Sequence, residues 1–182
     1  SIEYPDGVTF DSASLQSEPI TKDGAYQGTR LKFKAYFNGS RNDMSIDLGL
    51  GDYVVNPREI TFPTILEEDE PILTAYSLET IVAEKLEAIA KLLYANSRMK
   101  DFYDVYTILN THTLSEETLA KAIKGTFEHR QTPIKDLQII FSADFSNSAD
   151  KQTQWTAFLT KNKIAGAPVQ FKDVIKGIQE KW

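Results

Sequence analysis

The hydrophobic period of this chain changes once, near Ser77, and that change limits the folds open to it. Before it, apolar and polar residues alternate in stretches, which is the two-residue period of strands. After it, apolar residues recur at three- and four-residue spacing, which marks amphipathic helices. Strands first and helices after make an α+β fold. We therefore expect a β-rich portion over residues 1–75 and a helical portion over residues 76–182. A length of 182 residues fits one ordinary domain, or a domain with a helical appendage.

Within the first portion, Thr29 to Phe37 reads as a strand and Asn38-Gly39 as a hairpin turn. A second strand runs from Met44 to Leu50, with Met44, Ile46, Leu48 and Leu50 on one face and Ser45, Asp47 and Gly49 on the other. Pro57, Pro63 and Pro71 divide the stretch after it into loops and short strands. Ser77 is placed to cap a helix reaching Ala95, and a second helix is expected over Met99 to Asn110. Ser115 caps a third, to Glu128; two more cover Asp150 to Asn162 and Phe171 to Lys181. The apolar run Leu137 to Phe141 fits either type.

Hydrophobic residues at 41% and charged residues at 25% describe a globular chain rather than a disordered one. No apolar run approaches the roughly 18 to 20 residues of a membrane-spanning helix, and no signal segment opens the chain. Without cysteine there is no disulfide framework and no thiolate zinc site. A cytoplasmic location is the expectation. The net charge of −6 is uneven: residues 1–75 carry thirteen acids against six bases, residues 76–182 thirteen against fourteen. A groove between an acidic half and a near-neutral one suits metal ions and phosphates together; an ordinary acidic protein has the same balance.

Three polar residues break the pattern. With Ile81 at 0° and about 100° per residue, Leu78, Val82, Leu86, Ile89, Leu92 and Leu93 fall between about 0° and 140°. Glu84, Glu87 and Lys91 fall on the opposite side, where a solvated face belongs. Lys85 falls near 40°, inside the apolar stripe. It needs either an anion or a route for its ammonium to water. On the next helix Asp101 lies between Val105 and Ile108 and is the better counter-charge, although an acid there also complements the helix dipole. Asp104 lies at the edge of that face and equally suits the surface. Asp47, beside Ser45 and Gly49, suits a hard divalent cation, but one carboxylate does not make a metal site. Asp52, after Gly51, either assists it or is a turn residue.

These residues lie in three motifs. The stretch Ile46-Asp47-Leu48-Gly49-Leu50-Gly51-Asp52 resembles the second motif of the AbiEii/AbiGii-type toxins. Ala75 to Ala88, with Ala83-Glu84-Lys85 on its helix, resembles their third motif. Ser97-Arg98-Met99-Lys100-Asp101-Phe102-Tyr103-Asp104 resembles the fourth. Each is weak alone; three in order and at fitting spacing are strong, and the likeness runs over nearly the whole chain. The resemblance implies a nucleotidyltransferase fold related to DNA polymerase β, followed by a helical part. It implies transfer of a nucleotide from an NTP to an acceptor such as the 3′ end of tRNA, with two magnesium ions neutralising phosphate charge. It also implies an antitoxin partner. By motif position, Asp47 would be a metal-site carboxylate and Lys85 a phosphate contact. Asp101 would orient Lys85 or the substrate, supported by Asp104.

The family's first motif is Gly-Ser followed by a strand bearing Asp-x-Asp. Gly39-Ser40-Arg41-Asn42-Asp43 matches in letters, but it lies in a hairpin turn, and Ser45 stands where the second acid belongs. It is also only four residues before Asp47. The expectation is that the true motif lies upstream of Ser1 and that residues 1–182 do not catalyse alone. The alternatives are a non-catalytic nucleotide- or partner-binding module, and an interaction protein in which Lys85 and Asp101 are a buried ion pair. Hydrolysis through His112 or His129 is disfavoured by their polar surroundings. Tyr94, Tyr103 and Tyr106 could stack on a base, but at helical spacing they suit a core.

Overall fold

The structure, a computed structural model, describes residues 6–22, 26–64 and 69–181. The fold is α+β, and the chain divides into two compact units, Ser1–Asp52 and Tyr53–Trp182. The units therefore divide at Asp52, whereas the change from strand to helix comes at Ser77. A short hairpin accordingly belongs to the helical unit.

The first unit is an antiparallel sheet of β1 (Thr9–Lys22), β2 (Tyr26–Phe37) and β3 (Ser40–Gly49), in that order. Asn38 and Gly39 join β2 to β3 with φ of 47° and 78°, the left-handed pair that a two-residue hairpin turn requires. Strand β1 loses register against β2 between Asp11 and Gln16. There the Ser14 hydroxyl accepts the Lys34 amide N–H at 2.8 Å and donates to the Asp11 carbonyl at 2.7 Å. A side chain thus satisfies main-chain groups that the ladder leaves over.

The register places Leu31 opposite Ile46 and Phe33 opposite Met44 on one side of the sheet, and Arg30 opposite Asp47 on the other. Alternation in β3 is thus real, but its apolar side is open: Met44, Ile46, Leu48 and Leu50 are 44%, 47%, 43% and 73% exposed. A two-residue period reports which side a residue points to, not whether anything covers that side.

The second unit begins with the hairpin β4 (Arg58–Thr61) and β5 (Ile72–Ala75). Helices come next: α1 (Leu78–Leu92), α2 (Met99–Thr111), α3 (Glu116–His129), α4 (Leu137–Ile140), α5 (Ala143–Ser146), α6 (Ala149–Asn162) and α7 (Phe171–Gln179). Serines at 77, 115, 142 and 148 cap α1, α3, α5 and α6 by accepting an amide N–H three residues on. Helix α1 packs against α2, α3 and α4, and α2 against α6 and α7. Phe102, Phe145, Trp155 and Phe171 are wholly buried and meet ring to ring. Trp155 donates its indole N–H to the Pro168 carbonyl at 2.8 Å, so burial leaves no orphaned donor there.

Two glycines sit inside helices, where glycine costs about 1 kcal/mol relative to alanine. Each has a steric reason. A Cβ on Gly125 would stand 1.9 Å from Tyr53 Cε1, and one on Gly177 would stand 2.5 Å from Tyr106 Cε2. No helix of the described residues is long and apolar enough to cross a membrane.

A lysine and aspartate site between two helices

Helix α1 is fixed at its start before it presents Lys85. The Ser77 hydroxyl donates to the Val55 carbonyl at 2.6 Å, and Thr80 Oγ1 accepts the Val55 amide at 3.0 Å, all three residues being buried. Two turns on, Lys85 projects toward α2. Its ammonium donates to Asp101 Oδ1 at 3.0 Å and lies 2.7 Å from Asp104 Oδ2. Asp101 is almost completely buried, while the Lys85 and Asp104 side chains keep 21% and 18% of their exposure. The lysine stem therefore lies in the apolar stripe and its head is both paired and within reach of water. Asp104, expected at the edge, is a direct partner.

Two further cations complete the cluster. Lys100 Nζ donates to Asp104 Oδ2 at 2.6 Å, and Arg98 Nε stands 2.7 Å from Asp101 Oδ2, an ion pair without hydrogen-bond alignment. Three cations against two carboxylates leave one excess positive charge. Burial disfavours the Lys85 ammonium, but its hydrogen bonds to Asp104 and Asp101 outweigh that, so its pKa is raised. Burial likewise pushes the Asp104 carboxyl up, and hydrogen bonds from Lys100 and Lys85 bring it below its ordinary value. Both groups are held charged at neutral pH.

The other flank of α1 corrects the helical-wheel reading. Glu87, expected on a solvated face, is 1% exposed. Its carboxylate accepts Arg130 Nη1 at 2.9 Å and the Thr132 hydroxyl, and Arg130 Nη2 pairs with Glu84. The reason is α3, which ends at His129 and brings Arg130 onto that side of α1. Periodicity within one helix cannot register a partner 43 residues away.

Lys151, not singled out from sequence, is also buried, at 1% exposure. A signal existed: it stands four residues before Trp155, on the same face of α6. Its ammonium donates to the carbonyls of Tyr94, at 2.9 Å, and Asn96. Desolvation lowers its pKa, opposed only by the charge of Asp150.

Asp47 is placed in the other compact unit, on β3. Arg30 of β2 grips both its oxygens, Nε to Oδ1 at 2.6 Å and Nη2 to Oδ2 at 2.8 Å. Among the described residues no three His, Cys, Asp or Glu side chains gather as a cation site would require. A carboxylate already forked by a guanidinium does not by itself fit magnesium. His112 and His129 are exposed. Tyr103 and Tyr106 pack against the core, while Tyr94 is 54% exposed and meets Phe145 edge-on.

The structure thus brings together Lys85, Asp101 and Asp104, with Arg98 and Lys100 beside them. The family model described as "Nucleotidyl transferase AbiEii toxin, Type IV TA system" matches residues 1–176. The chain belongs to this AbiEii family of nucleotidyltransferase toxins of type IV toxin–antitoxin systems. No curated protein matches it, and no solved structure does.

Proposed function

We propose that the chain takes part in moving a nucleotide from an NTP, presented as its magnesium complex, to an RNA acceptor such as the 3′ end of tRNA. One observation carries this reading: the cationic excess around Lys85 lies in the stretches that resemble the family's third and fourth motifs, in a chain that belongs to that family. In such a transfer an acceptor hydroxyl gives up its proton to solvent and its oxygen bonds to the α-phosphorus. The bond from that phosphorus to the oxygen bridging to the β-phosphate breaks as this happens, and pyrophosphate leaves. The protein's share is positioning and charge. Lys85 contacts the phosphates, Asp101 holds it from the buried side, and Asp104, which Lys100 also neutralises, is the partner that yields its place to phosphate. An antitoxin partner and a cytoplasmic setting accord with membership of the family.

A second reading, a binding module that keeps the nucleotide contact without the chemistry, draws on Asp47. For Asp47 to serve as a metal-site carboxylate, Arg30 must release it. Labelled nucleotide supplied as each magnesium NTP with bulk tRNA tests both. The full-length protein would be compared with and without Lys85→Ala. Transfer that depends on Lys85 supports the first reading. No transfer, with NTP still protecting Lys85 from amine modification, supports the second. No transfer and no protection overturn both.

A further inference from the structure

We propose that Lys151 is a positioning residue for Lys85, clamping the turn between α1 and α2 so that Asp101 meets the lysine. A continuous series of polar contacts joins the two. The Lys151 ammonium donates to the carbonyls of Tyr94 and Asn96. Asn96, itself wholly buried, accepts the Arg98 amide N–H on its Oδ1 at 2.7 Å. Arg98 pairs with Asp101 Oδ2, and Asp101 Oδ1 accepts from Lys85.

Filling space does not explain this lysine. An apolar side chain of similar size would fill the same volume without desolvating a charge. Its hydrogen bonds go to main-chain carbonyls just beyond the C-terminus of α1, where acceptors outnumber intrahelical donors and the helix dipole is negative. The chain there is also strained: Leu93 has φ 44° and ψ −124°, a conformation that L-residues keep only where their surroundings hold it. The clamp from α6 is such a hold. This deepens the reading of Lys85 as a phosphate contact and rests on it for its functional meaning.

The test is the rate at which an amine-acylating reagent modifies Lys85 in the full chain without nucleotide, read by peptide mass spectrometry. Lys151→Met is expected to raise that rate about tenfold, the effect of about one pKa unit of lost ion pairing. Asn96→Ala, which removes the side chain that accepts the Arg98 amide, is expected to raise it similarly, and the double variant no further. Gly125→Ala, which disturbs the packing of Tyr53 instead, should leave Lys85 at its wild-type rate. The proposal is overturned if folded Lys151→Met modifies Lys85 at the wild-type rate, or if Gly125→Ala accelerates it equally. Should Lys151→Met not fold, a wild-type rate in Asn96→Ala overturns it. Adding magnesium NTP to the wild type separates the two readings. Failure to protect Lys85 counts against the phosphate contact, while the nucleotide-free rates still decide the clamp.

Discussion

In Tyr53–Trp182 the rings of Phe102, Phe145, Trp155 and Phe171 are wholly buried against one another, whereas in Ser1–Asp52 the whole of β3 is exposed, with Ile46 at 47%. The helical unit is held by apolar area removed from water, about 25 cal/mol per Å². The sheet is held by its main-chain ladder and by ion pairs such as Arg30–Asp47 and Lys32–Glu18, whose side chains are 38% to 50% exposed. Exposed pairs of this kind contribute about 0 to 1 kcal/mol each. Side-chain identity therefore governs stability in one unit far more than in the other.

The sharpest way to break that comparison is Phe102→Ala. It should cost about 3 to 5 kcal/mol, read as a shift of the urea midpoint at unchanged slope; a cost below about 1 kcal/mol would mean the ring cluster is not a packed core. Next is Lys85→Met, which leaves the buried Asp101 with Arg98 alone and should cost about 2 kcal/mol at pH 7. It has a pH signature. The Asp104 carboxyl is held below its ordinary value in the folded chain, so its contribution is present above the unfolded pKa of 3.8 and is lost as pH falls through the folded value. Lys85→Met should flatten that acid-side loss; an unchanged slope would assign the lowering of Asp104 to Lys100 alone.

Gly125→Ala should cost about 1 to 2 kcal/mol although alanine is the better helix former, because Tyr53 must move. In the background of Tyr53→Ala the same change should become neutral or stabilising, as a thermal melt would show. Smallest of all, Ile46→Thr should stay within about 0.5 kcal/mol. A cost near that of Phe102→Ala would show that the apolar side of the sheet is covered in solution.

What the sequence made legible was local. Ser77 and Ser115 cap the helices they were expected to cap, Asn38-Gly39 turns the hairpin, and Lys85 finds Asp101 because both break an apolar stripe. What it did not show depends on partners remote in sequence. Glu87 looked solvated until α3 delivered Arg130, and the burial of Lys151, which sequence did not single out, rests on carbonyl partners 55 and 57 residues earlier. Leu137 to Ile140 proved helical, a four-residue run too short for periodicity to decide.

Helix α1 carries opposite charges on two flanks, Lys85 answered by α2 and Glu87 by the residue just past the end of α3. Its azimuth is thereby locked. Turning it by one residue, about 100°, would swing the ammonium off its aspartates and the glutamate off its arginine at the same time. A rearrangement around Lys85 that spares the Glu87 pairing is therefore an exchange of side-chain partners and not a roll of the helix.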